Sequence, residues 1–270
     1  MSQGHAIDVA TATKLVDHDE HPARSLAVRG LTVAFDGFVA VRAVDLTVHP
    51  GDLRFLIGPN GAGKTTIIDA ITGLVKASGS ARFGGQELLG RSVHRTARAG
   101  VGRTFQTASV IEQLSVLANL DLASGADRSA RTLLRSRGQH VPDAVAEALE
   151  VIGLSAVAER PAGSLAHGQK QWLEIGMLLV QRAGLLLLDE PVAGMSQAER
   201  DETAVLLRAL APHHTVVVVE HDMEFLRAVA DSVTVLARGE VIAEGTVADI
   251  QADPIVQEVY LGTPTTAGGR

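Results

Sequence analysis

Leu53-Arg54-Phe55-Leu56-Ile57-Gly58-Pro59-Asn60-Gly61-Ala62-Gly63-Lys64-Thr65-Thr66-Ile67-Ile68-Asp69-Ala70-Ile71-Thr72 decides the fold of this chain. The apolar run Phe55-Leu56-Ile57 reads as a strand. Residues 58–65 then satisfy G-x-x-x-x-G-K-[ST], and apolar residues at helical spacing follow. Gly58, Gly61 and Gly63 let the backbone curl so that its N–H groups point inward, at the positive end of the following helix. Such a curl is a pocket of amide donors for phosphate oxygens. Lys64 adds a mobile cation for β- and γ-phosphates, and the Thr65 hydroxyl is a ligand for Mg²⁺. A glycine turn kept only for packing would not need all three features.

Composition bounds the rest. At 270 residues the chain can bury a substantial core, and 46% hydrophobic content fits a globular protein. A formal charge of −7 argues against a surface that coats nucleic acid. The absence of cysteine excludes disulfides, thiol catalysis and thiolate metal sites. No apolar run is long enough to span a bilayer, and residues 1–25 read as a polar tail with no secretory h-region. His5, His18 and His21 in that tail fit no metal-ligand spacing.

Outward from the loop, Leu31–Phe35 and Val41–Val48 alternate apolar and polar residues around the turn pair Asp36-Gly37, which predicts a small antiparallel layer. Two phenylalanines at that turn, Phe35 and Phe38, favour an aromatic face for stacking a base over ordinary packing. Downstream, Gly73 is a helix C-cap, Ala81–Phe83 a strand, Ser92–Ala99 a short helix, and Val101–Phe105 a strand ending at Gln106. A helical insertion over about 107–163 includes Val116–Ala123, Ala130–Arg137 and Asp143–Ile152. Its arginines 128, 131, 135 and 137 read as a solvated face.

After the insertion the α/β pattern returns. Gly168–Val180 is a helix with Trp172, Leu173, Ile175, Leu178 and Leu179 on one face. Leu185–Leu188 and Thr215–Val219 read as strands buried on both sides, ending in Asp189-Glu190 and Glu220-His221-Asp222. Ser196-Gln197-Ala198-Glu199 is a capping box. Val233–Leu236 and Val241–Ala243 form a hairpin around Arg238-Gly239. Ligands of open parallel α/β sheets bind at the carboxyl ends of the strands, so Lys64, Asp189, Glu190 and His221 are expected in one crevice. There Asp189 is placed to hold Mg²⁺, Glu190 to polarise an attacking water, and His221 to reach the γ-phosphate or that water.

With these residues in place, the chain resembles the nucleotide-binding subunit of an ABC transporter over about Leu26–Gly262. The resemblance is carried by Gly58–Thr66, by Gln106 as the Q-loop, by Leu165-Ala166-His167-Gly168-Gln169 as the signature, by Leu185–Glu190 as Walker B, by Val192–Ser196 as the D-loop and by His221 as the switch histidine. It implies a P-loop NTPase (RecA-like) core, α/β in class, with an antiparallel β subdomain and the inserted helical subdomain, as a single domain over 26–262 between a 1–25 tail and a 263–270 tail. It further implies that ATP with Mg²⁺ is bound by Phe35, Gly58, Pro59, Asn60, Gly61, Ala62, Gly63, Lys64, Thr65, Thr66, Gln106 and Asp189, with Thr65, Gln106 and Asp189 at the metal.

Glu190, His221 and Gln106 are the implied catalytic residues, and Ala166, His167, Gly168 and Gln169 act in trans on the nucleotide of a second ATPase subunit. The remaining partners implied are integral-membrane permease subunits and, indirectly, a solute-binding protein, with the chain peripheral on the cytoplasmic face of the inner membrane. Two positions depart from the family pattern. Ala166 stands where a serine hydroxyl is usual, which implies a trans contact weaker by roughly 10- to 150-fold, although Gly168 and the helix N-terminus still offer amide donors. Ser196 stands where aspartate is usual. Within the family, the runs Gly168–Met177, Pro191–Met195 and Glu220–Phe225 resemble the branched-chain amino-acid and urea uptake branch, most of all its urea-type subunit. The expected function is therefore an importer ATPase for urea or a related small polar solute. Alternatives are a branched-chain amino-acid importer ATPase and a non-transport or regulatory ABC ATPase.

Overall fold

The computed structural model describes residues 24–105, 109–125 and 141–261. Period-two alternation builds the first layer. β1 (Leu26–Phe35) and β2 (Phe38–Val48) pair antiparallel with Phe35 opposite Phe38, and β1 also pairs with β4 (Ser78–Phe83), which carries the two-residue β5 (Gln86–Glu87). The layer is therefore four strands in the order β2-β1-β4-β5.

Between β2 and β4 the chain enters the second sheet through β3 (Leu53–Ile57), turns at the glycine loop and continues as α1 (Lys64–Thr72), which stops at Gly73 in the left-handed region. α2 (Val93–Arg98) leads into β6 (Val101–Arg103). The regular elements described over 109–165 are helical: α3 (Val116–Ala123), α4 (Asp143–Val151) and two 3-10 turns at Ser155–Val157 and Ala162–Ser164. α5 (His167–Val180) returns to the sheet, followed by β7 (Leu185–Asp189), α6 (Gln197–Leu210), β8 (Thr215–Val219), α7 (Met223–Val229), the hairpin β9 (Ser232–Ala237) and β10 (Glu240–Gly245), and finally α8 (Val247–Ala252) and α9 (Pro254–Leu261).

The second sheet has the order β10-β9-β3-β8-β7-β6. Only the β9–β10 edge pair is antiparallel; β9, β3, β8, β7 and β6 run parallel. β3, β8 and β7 are consecutive, so their carboxyl ends at Ile57, Val219 and Asp189 lie side by side, as a crevice at one sheet edge requires. Every residue of β7 and β8 is buried, in keeping with strands covered on both faces.

The two faces of this sheet belong to two cores. Phe55, Ile57, Leu186, Leu188, Val216 and Val218 pack with Trp172, Leu173 and Ile175 of α5. Leu56, Leu185, Leu187, Val217 and Val219 pack with Ile67, Ile68 and Ile71 of α1 and with the antiparallel layer.

Three expectations need correction. The strand expected over Val101–Phe105 closes at Arg103, because the Thr104 hydroxyl accepts from Asp189 N at 3.2 Å and Phe105 N donates to the Glu174 carboxylate at 3.3 Å, outside the ladder. The expected one-sided face of α5 is wrong: the helix lies between the sheet and α3 and α4, so Gln171 and Glu174 are buried along with the apolar residues. Phe38 extends β2 three residues before Val41. The histidines of the N-terminal tail, the helix expected at 130–137, the arginines at 128–137 and Gln106 lie outside the described residues.

Candidate nucleotide site

Lys64 opens α1 and is buried at the foot of the loop. Its Nζ donates to the carbonyl oxygens of Gly58 at 2.7 Å and Pro59 at 3.1 Å. Burial pulls its pKa below that of a free lysine, and the nearby Glu190 and Asp189 carboxylates oppose the shift. Two glycines are fixed by space as well as by φ: a Cβ at Gly58 would lie 2.2 Å from the Leu236 carbonyl oxygen, and one at Gly63 would lie 2.8 Å from that of Ala40. Gly61 has φ of 79° with open space beside it, so only its backbone conformation asks for glycine. Ala62 is buried, and its carbonyl accepts from Gly239 N at 3.0 Å, which anchors the loop to the β9–β10 turn.

Asp189 ends β7 with its side chain 2% exposed. Burial raises its pKa; the Arg103 cation opposes the shift, and the Thr65 hydroxyl also hydrogen bonds the carboxylate. Asp189 Oδ1 is a buried acceptor that makes no hydrogen bond within the protein. Glu190 follows with φ of 50°, a left-handed conformation that costs a residue with a Cβ about 1–3 kcal/mol and is held here by Glu190 N donating to Val219 O at 2.9 Å. His221 Nδ1 stands 3.4 Å from Glu190 Oε1, on an imidazole 60% exposed. Lys64, Thr65, Asp189, Glu190 and His221 thus meet where the strand order requires.

Mg²⁺ and a nucleotide fit this donor set. Among the described residues no group of three or more His, Cys, Asp or Glu gathers to hold a metal. A hydroxyl and one carboxylate with a free oxygen match an ion that keeps several waters and shares phosphate oxygens. Phe35 and Phe38 are both exposed beside the Asp36-Gly37 turn, open to a stacked ring.

At the signature, Ala166 is the N-cap of α5 in extended geometry, and its methyl supplies no cap. Gln169 returns half of a capping box, its Oε1 accepting from Ala166 N at 3.1 Å. The expectation that Gly168 offers a free amide donor is corrected: the Glu199 carboxylate accepts from Gly168 N as well as from Ser196 N at 2.9 Å and Ser196 Oγ at 2.7 Å. His167 Nε2 lies 3.1 Å from Ala193 O, so signature and D-loop are joined at two points. Ser196 is the N-cap of α6, with the reciprocal Ser196–Glu199 box expected from the sequence.

Three residues were missed by sequence reasoning. Glu220 is buried and its carboxylate accepts from Val192 N, His221 N and Asp222 N, fixing the D-loop start to the His221 turn. Glu174 accepts from Phe105 N and Ser109 N, on either side of Gln106. Arg103 bridges Asp69 of α1 and Asp189. The available signal was an acid inside the apolar run Trp172-Leu173-Glu174-Ile175 and a cation beginning Arg103-Thr104-Phe105; in neither case did local spacing reveal a partner.

This fold and this loop define an ATP-binding cassette, and comparison with known proteins agrees. The family described as ABC transporter matches residues 41–193, and a second, described as branched-chain amino acid ATP-binding cassette transporter, matches residues 240–265. The chain is 36% identical over 248 residues to the high-affinity branched-chain amino acid transport ATP-binding protein BraF of Pseudomonas aeruginosa, covering 88% of this chain and 97% of the relative. It is 37% identical over 250 residues to LivG of Escherichia coli K12, with the same coverage. A crystal structure of an ABC transporter ATP-binding cassette in its ADP conformation superposes with a TM-score of 0.76 at 29% identity, over 88% of this chain and 99% of that one. The chain belongs to the ABC transporter ATP-binding family, among the homologues of branched-chain amino-acid transport ATPases, and the urea-type assignment gains no specific support.

Proposed function

We propose that this ATPase energises uptake of branched-chain amino acids through separate permease subunits, as one of a pair of cassettes peripheral to the membrane. The observation that carries the solute class is the match at 240–265, which lies beyond the ATPase motifs common to the whole family. No described helix is long and apolar enough to cross a membrane, in keeping with a path for the solute that lies in other subunits. A second reading, uptake of urea, is favoured by the runs Gly168–Met177, Pro191–Met195 and Glu220–Phe225.

In this reading Phe35, with Phe38 in reserve, stacks the adenine, and residues Gly58–Thr66 hold the phosphates through backbone N–H groups. Lys64 balances charge on the β- and γ-phosphates. Thr65, Asp189 and Gln106 hold Mg²⁺, which supplies charge neutralisation at the phosphates. Glu190 takes a proton from the attacking water, and His221, beside Glu190, orients that water or the γ-phosphate. Ala166, His167, Gly168 and Gln169 face the nucleotide of the partner cassette. The apolar groove lined by Leu74, Val93, Phe105 and Met177 receives a permease segment.

The test is reconstitution with the permeases and binding proteins native to its source. Stimulation of phosphate release by leucine, isoleucine or valine supports the main reading, and stimulation by urea alone replaces it with the second. Glu190→Gln is expected to trap an ATP-bound cassette pair with turnover lost; undiminished turnover would remove Glu190 from its role.

A further inference from the structure

Arg103 is a second largely buried cation beside Lys64 and has no place in the hydrolytic roles above. Its side chain is 8% exposed, with one guanidinium nitrogen paired to Asp69 Oδ1, the other 3.5 Å from Asp189 Oδ2, and its plane over the Phe105 ring with 4.9 Å to the centroid. Asp69 sits on the glycine-loop helix, Arg103 at the end of β6 and Asp189 at the end of β7. Three elements of the phosphate site are thus joined through one cation. Lys64 and Arg103 together face Asp69, Asp189 and Glu190; without Arg103, a single cation would face three carboxylates. A cluster of that sign and density attracts free divalent ions even when no phosphate is there to share them.

We propose that Arg103 is a positioning and specificity-determining residue that holds Asp189 against uptake of a bare divalent cation, so that metal is accepted only together with nucleotide. Arg103 suits this task because its charge does not titrate and its planar fork can serve both carboxylates at once. Asp69 is the second half of the device, since it shares the guanidinium and keeps Arg103 from committing wholly to Asp189.

This inference rests on Asp189 being the metal-side acid, and the experiment separates the two ideas. Mn²⁺ alone is titrated into the full chain without nucleotide, and free Mn²⁺ is followed by its paramagnetic resonance signal. Arg103→Met is expected to bind Mn²⁺ about 10-fold more tightly than the parent, the order expected for removing one nearby positive charge at a partly screened site. Arg103→Lys, which keeps the charge but loses the fork, falls between the parent and Arg103→Met. Asp69→Asn, which leaves Arg103 to Asp189 alone, binds more weakly.

A purely structural Arg103 would weaken binding in both the Arg103→Met and the Asp69→Asn variants, so the opposite signs are the diagnostic. Arg103→Gln serves should the Met variant unfold, since it removes the charge while keeping a hydrogen-bond donor. Unchanged or weaker Mn²⁺ binding in Arg103→Met and Arg103→Gln, with the fold intact, overturns the inference. If binding tightens in Arg103→Met and survives the further change Asp189→Asn, Asp189 is not the acid and the metal assignment fails instead.

Discussion

Replacing Glu174 by glutamine is expected to stabilise the protein at neutral and alkaline pH. Glu174 is 3% exposed within α5, and burial pushes its carboxyl up to about 7 from an ordinary 4.5, against two N–H bonds that favour the ionised form. Because the folded pKa is raised, the folded state binds the proton more tightly than the unfolded chain. The contribution to stability is therefore fully present below pH 4.5 and is lost as pH rises through 7.

A shift of that size is worth about 3 kcal/mol over the whole window, and about 1 kcal/mol of it falls between pH 6 and pH 8. Glutamine keeps an acceptor for Phe105 N and Ser109 N and carries no charge to desolvate. Urea denaturation followed by fluorescence of the sole tryptophan, Trp172, at pH 6 and pH 8 reads the effect. Glu174→Gln should be more stable at pH 8, with a smaller loss from pH 6 to pH 8 than the parent. A variant that keeps the parent's pH slope would show that the buried charge is relieved by something else, and would refute the reasoning.

Acid should expose the reverse behaviour at His214. Its Nδ1–H donates to Ala183 O at 2.9 Å, Nε2 has no partner, and burial lowers its pKa to about 4 from 6.5. Its contribution is full above pH 6.5 and lost as pH falls through 4, about 3 kcal/mol in all; His214→Gln should flatten that limb of a stability–pH curve. Ala166→Ser supplies the missing N-cap of α5 and should raise stability by about 1 kcal/mol, read from the denaturation midpoint. The same variant should speed turnover of the assembled transporter if the signature contacts nucleotide in trans, and an unchanged rate would count against that role. Trp172→Phe removes the buried bond from Nε1 to Thr203 Oγ1 at 2.8 Å and should cost about 1–3 kcal/mol by calorimetry.

The parts of the fold that could be read from the sequence are those whose physics is local. Leu185–Leu188 and Thr215–Val219 are unbroken apolar runs because both faces of those strands are covered, and the curl at Gly58–Gly63 states its own backbone demands. Asp36-Gly37, Gly73 and the Ser196–Glu199 box likewise act within a few residues. Other features depend on partners far away in the chain. Nothing near Arg103 names Asp69 or Asp189, nothing near Glu174 names Ser109, and the early end of β6 follows from the Thr104 hydroxyl taking the Asp189 N–H and from Phe105 N turning away to Glu174. Glu199 shows the same limit: its cap on Ser196 is legible, whereas its bond to Gly168, which removes an amide expected to be free, requires two helices to meet.

The split of the sheet into two cores gives neighbouring residues different constituencies. Val217 leans on the helix that begins at Lys64, and Val218 leans on the helix that begins at His167. The strand acts as a bulkhead, and a methyl removed from one side leaves the other compartment's packing in place. Paired truncations along β8 would thus loosen the glycine-loop helix and the helix behind Ala166–Gln169 one at a time, a dissection written into the alternation of a five-residue strand.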